Sequence, residues 1–138
     1  ITDMALGLNL DWLFRSYIEF LQKQKIKPGF NTRNLCYLVK RLSEWELASS
    51  QPIIATPFNK VGFQMNPSRS ECEKTLASCN EFDIMAISIL AAGYLKPAEA
   101  IDYIATLPNI KSVAVGVSKE THARETFRLL KEKLGNEL

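Results

Sequence analysis

FDIMAISILAAGYLKPAEAIDYIATLPNIKSVAVGVSKETHARETF, residues 82–127, decides how the chain is read. It holds two apolar runs, Phe82–Ile89 and Ser112–Val117, each followed by a segment with helical spacing. The first run suits a strand buried on both faces. Pro97 fits the first turn of a helix ending near Leu107. Ser118 is expected to cap a last helix, Thr121–Leu134, that Gly135 closes. Strand and helix in alternation predict a parallel sheet with right-handed crossovers.

The same alternation runs upstream. Leu10, Leu13, Phe14, Tyr17, Ile18 and Leu21 share one face of a predicted helix, with Asn9 as its cap. A first strand is expected over Ile26–Phe30, ending in Gly29-Phe30-Asn31-Thr32. A helix over Arg33–Leu47 should bury Leu35, Leu38, Val39 and Leu42. A second strand, Pro52–Thr56, leads into PFNKVGFQMNPSRS, a loop longer than a minimal one. Ser68 or Asn66 then caps a helix running to about Cys79. One helix followed by four strand–helix units fits either an open doubly wound sheet or half of an eight-stranded barrel.

Composition narrows the function classes. A net charge of +2, with basic and acidic residues interspersed, gives no footprint for nucleic acid. No apolar run approaches the roughly 20 residues of a membrane span. Ile1-Thr2-Asp3 lacks the basic and long apolar regions, so no signal peptide is expected, and the missing initial Met suggests a processed chain or a piece of a longer one. Cys36, Cys72 and Cys79 have no CxxC spacing and only one histidine beside them, so they are read as reduced thiols of a cytoplasmic protein without a metal.

Five segments, in order, resemble the second half of an aldo-keto reductase. LDWLFRSYIEFLQKQKIK, residues 10–27, is similar to that family's fourth helix. PGFNTRN, residues 28–34, resembles its Gly-Val-Ser-Asn-Phe segment, and IIATPFNK, residues 53–60, its Gln-Val-Glu-Tyr-Asn-Pro segment. IMAISILAAG, residues 84–93, is similar to Ile-Ala-Met-Lys-Pro-Leu-Ala-Gly-Gly. LPNIKSVAVGVSKETHARET, residues 107–126, resembles the approach to the cofactor helix. The resemblance implies the C-terminal half of a (β/α)8 barrel, residues 1–138 as one domain, from a longer NAD(P)-dependent oxidoreductase acting on a small carbonyl or alcohol. The family's catalytic Tyr, Lys, Asp and His would lie in the other half, so the fragment alone should be inactive.

On that resemblance the cofactor NADP would be held by Asn31, Thr32, Ile87, Ser88, Leu90, Gly93, Gly116, Ser118, Lys119 and His122. The residue chemistry offers its own grounds at two places. Gly116 lets backbone approach a ligand, and the amides after it open a helix beside Lys119, which suits a phosphate. Asn31 carries a donor and an acceptor, which suits a carboxamide. The plainer readings are that Ser118 is a helix cap and that Asn31 makes an Asx turn. Ala55, Ile87 and Thr126 depart from the family's Gln, Tyr and Asn, each loss removing about 1 kcal/mol of binding.

Asn59 and Lys60 lie past a strand end, and Phe58, Phe63 and Met65 are expected to line a pocket or pin a lid. Two alternatives to the reductase stay open. One is a phosphate-binding barrel lyase or aldolase with Lys60 as base or amine. The other is a binding module without chemistry. The half-barrel reading requires four parallel strands side by side in sequence order. It also expects the bare edges to pair with a second copy or with the other half.

Overall fold

The computed structural model describes residues 1–135. Two helices come first. α1, Thr2–Gly7, is not announced by the sequence pattern. α2, Asp11–Lys23, buries Phe14 and Ile18 of its expected face, whereas Tyr17 is exposed. Asn9 does not cap it; Leu10 takes the N-cap position without a side-chain bond. Asn9 instead sits at φ 55° between the helices, a left-handed conformation that Asn tolerates better than most residues.

β1 is Gly29–Asn31, later than the expected Ile26–Phe30. Ile26 still belongs to the exit from α2: its amide bonds Leu21 O at 2.9 Å, and Lys25 turns the chain at φ 58°. α3, Leu35–Glu44, is capped by Asn34, whose side chain accepts from Tyr37 N at 3.1 Å. Leu35, Leu38 and Leu42 are fully buried and Val39 half-buried. The helix stops short of Leu47 because Glu46 adopts φ 59°. β2 is Ile53–Pro57, and α4, Arg69–Ser78, starts from Ser68, which accepts from Glu71 N at 3.2 Å. Asn66 takes no part in that cap.

β3 is Asp83–Ile87 and α5 is Pro97–Ala105, with Pro97 in the first turn. β4, Ile110–Val113, begins and ends before the expected Ser112–Val117. Asn109 at φ 59° turns the chain into it, and beyond Val113 the ladder continues through Ala114 N on Ala86 O at 2.9 Å. α6, Glu120–Leu134, has Lys119 at its N-cap and Gly135 at its C-cap.

The sheet order is β1-β2-β3-β4, all parallel. A doubly wound sheet reverses direction at a switch point, and this one does not. Every crossover therefore moves the same way, and right-handed crossovers moving one way place their helices on one face. The register shows the result. Phe30, Ile54 and Ile84 stand side by side and are 8%, 0% and 0% exposed. The next row on the other face, Asn31, Ala55, Met85 and Ser112, is exposed at Asn31 and half-buried at the rest. So β3 is not buried on both faces: Asp83, Met85 and Ile87 remain half-buried while Ile84 and Ala86 are sealed. One covered face and one open face are what four consecutive units of a (β/α)8 barrel present. No helix among the described residues is long and apolar enough to cross a membrane.

Candidate cleft at the ends of the third and fourth strands

A cleft of about 1240 Å³ opens where β3 and β4 end. In a parallel sheet these C-terminal ends are where ligands meet loop residues and helix N-termini. The β3–α5 loop forms one wall. Ser88, Ala91 and Ala92 have φ of 52°, 48° and 58°, and Gly93 follows at 88°. Left-handed backbone costs an L-residue about 1–2 kcal/mol, so three in one loop need outside support. Ala91 N bonds Ser88 O and Gly93 N bonds Leu90 O, both at 2.9 Å. Asn59 Nδ2 also reaches Ser88 O, at 3.4 Å. At Gly93 the positive φ calls for glycine. At Gly116 a Cβ would meet nothing within 4 Å, so a side chain there would project into open space on the cleft wall.

The opposite wall is the start of α6. No side chain caps this helix. Ser118 is therefore not its cap, because it stands one residue before the N-cap position and makes no side-chain cap bond. Lys119, at the N-cap, is exposed and outside the cleft lining. The first amides of α6 keep their donors free of side-chain caps, which makes that end electropositive.

Of the residues expected from sequence, Ile87, Ser88, Leu90, Gly93, Gly116, Ser118 and His122 all line this one cleft. Asn31 and Thr32 do not: Asn31 ends β1 and Thr32 follows it, two strands away from β3. Thr32 is fully buried, and its hydroxyl donates to the Asp3 carboxylate while accepting from Asn34 N at 2.9 Å. Arg33 N completes the clamp on Asp3 at 3.0 Å. Asn31 is exposed.

The long loop after β2 is pinned from within. Asn59 is fully buried, donates to Phe63 O at 2.9 Å and accepts from Phe63 N at 2.7 Å. Phe58 and Met65 are core residues, whereas Phe63 lines the cleft. Lys60 lies outside it and pairs with Glu99 at 2.7 Å, both about half exposed. Sequence reasoning missed Gln64 and Glu125 on the cleft wall. The signal for Glu125 was present: it follows His122 by three residues, which puts both on one helix face. Among the described residues, His122 and Glu125 are the only titratable groups on the wall, so the cleft offers surface and hydrogen bonds more than reactive side chains.

Comparison of the chain with protein-family models, curated proteins and solved structures finds no match.

Proposed function

We propose that the cleft binds a phosphate-bearing ligand at the uncapped start of α6, and that the chain is the ligand-binding half of a barrel similar to an aldo-keto reductase. The observation that carries this reading is the gathering of seven expected residues along one cleft, one wall of which is the uncapped start of α6. NADP fits at its phosphate end: the Ser118 hydroxyl, the His122 ring and the first amides of α6 supply donors, and Lys119 adds charge nearby. Its carboxamide end rests on Asn31 alone, since the Thr32 hydroxyl is already engaged and Ala55 has no side-chain donor. When bound, NADP would supply hydride chemistry on a carbonyl or alcohol. The residues of this chain would bind and orient it, and the proton donor would come from the other barrel half.

The open sheet face supports the half-barrel reading. So does the run of exposed apolar side chains on the first two helices: Met4, Leu8, Trp12 and Phe20 are each more than half exposed. Surfaces of this kind are usually covered by a partner, here a second half or a second copy.

Calorimetry of the chain with NADPH, NADH and a phosphosugar tests the ligand. NADPH is expected to bind, and Lys119→Ala to weaken NADPH about tenfold more than NADH, the scale of a charge-assisted contact. No heat from any of the three at millimolar concentration would remove the reading. A second reading, a binding module without chemistry, is favoured by the sparse titratable lining of the cleft. It predicts ligand binding with no turnover even when the other half is supplied. The lyase alternative finds less support, because Lys60 is ion-paired outside the cleft.

A further inference from the structure

The helix-covered side of the sheet holds a group that the cleft does not use. Cys36 is the second residue of α3 and is half-buried. The Thr75 hydroxyl on α4 donates to Cys36 Sγ at 3.2 Å. Thr75 and Cys72 are three residues apart on α4, so both face the same neighbour. The Cys72 thiol donates to Asn66 O at 3.3 Å, and Cys36 lies near enough to help hold the Cys72 proton in place. Cys79, at the end of α4, is buried, two turns beyond Cys72.

We infer that Cys36 is an oxidative modification site and that Cys72 is its resolving thiol, so that a hydroperoxide closes a disulfide between α3 and α4. The order follows from access: Cys36 is half-buried, whereas Cys72 is 2% exposed. The Cys36 sulfur attacks the peroxide oxygen, the O–O bond breaks, and Cys36 sulfenic acid and water form. The Cys72 sulfur then attacks the Cys36 sulfur. The S–O bond breaks, and the leaving hydroxide departs as water with the Cys72 proton. Two thiols lose two electrons, and hydrogen peroxide is reduced to two waters. Burial pushes the Cys72 thiol up to about 12, so it resists direct oxidation and the closing step is slow. The loop so closed contains β2 and the segment carrying Phe63 and Gln64, two residues of the cleft wall. Oxidation would thus tie a redox state to one side of the cleft.

Peptide mapping of the whole chain under non-reducing conditions, after hydrogen peroxide and then alkylation, tests this. The expected product is a Cys36–Cys72 cross-linked peptide, lighter by two hydrogens, with Cys79 still alkylated. In Cys72→Ala, dimedone should label Cys36 as a sulfenic acid; in Cys36→Ala, no labelled cysteine and no cross-link should appear. The inference is overturned if Cys36 and Cys72 both remain alkylatable in the wild type, or if Cys36 pairs as readily with Cys79. The wild-type map decides even where a variant fails to fold.

Discussion

The two flanks of the sheet are finished differently. Beside β1, Phe14 packs against Phe30 and Trp45 with ring centroids 5.2 and 5.1 Å away, and Tyr17 meets Phe30 at 5.5 Å. The guanidinium of Arg41 lies over the Trp45 ring, and Arg15 donates to Trp45 O at 2.6 Å. Beside β4, the 15-residue α6 buries only Thr126 and Leu134. Its exposed face carries solvated ion pairs, Arg124–Glu120 and Arg128–Glu132, which add little stability. Phe127 is half exposed there. The difference follows from what each flank does. An aromatic cluster fixes the β1 end of the sheet, while the β4 end keeps its helix start and strand end open to the cleft. A rigid frame carrying a looser, ligand-facing rim is a common division of labour in folded domains.

The largest expected effect sets one residue type against itself on the two flanks. Phe14→Ala removes a ring buried among two others and should cost about 3–5 kcal/mol. Phe127→Ala removes an exposed ring and should change stability by no more than about 0.5 kcal/mol. Urea unfolding of both variants measures the contrast. Similar midpoints for the two would mean that the flanks are equally sealed, and the comparison would fail.

How far the sequence carried this contrast can be read from particular residues. Leu35, Leu38 and Leu42 recur at helical spacing and are all fully buried, because one-sided burial is what that periodicity encodes. The order of the four strands was legible for the same reason, since alternation with crossover handedness leaves few topologies. Element ends were less legible. They were set by single left-handed residues, Asn9, Lys25, Glu46 and Asn109, and only the two Asn belong to a type that favours that conformation. The apolar run over 82–89 could not tell one covered face from two, because Met85 and Ile87 are apolar whether they meet a helix or an open barrel side. Within the site, residues after β3 and β4 fell together because those strands are neighbours. Thr32 separated from them because Asp3, on a helix the pattern did not announce, claims its hydroxyl.

The next effect is confined to alkaline pH and belongs to the sealed layer. Burial pushes the Cys72 and Cys79 thiols from an ordinary 9.0 up to about 12, and it also raises the Tyr103 phenol, which donates to Glu73 at 2.7 Å. Between pH 9 and about 12 the unfolded chain has released thiol protons that the folded chain retains. Stability therefore stays level in these groups below pH 9 and falls as pH rises through that window. Urea midpoints across pH 8–11, the lower part of that window, should decline for the wild type and decline less for Cys79→Ala. Parallel slopes in the two proteins would show that Cys79 titrates in the folded state as it does in the unfolded one.

The smallest effect concerns the edge itself. β1 ends the sheet on one side, and its outward-facing carbonyl at Gly29 accepts from the Tyr17 hydroxyl at 3.1 Å. An edge carbonyl with a side-chain donor across it is a poorer template for another strand than a bare one. Tyr17→Phe keeps the ring against Phe30 and removes only that donor. Because Tyr17 is exposed and water can replace it, the loss should be about 0.5 kcal/mol, the low end for a hydrogen bond. The sharper readout is association. If β4 is the edge through which copies or barrel halves pair, sedimentation should show the same assembly state for the wild type and for Tyr17→Phe. A variant that associates more strongly than the wild type would place the pairing edge at β1, with Tyr17 as its guard, and would reverse the contrast between a closed flank and an open one.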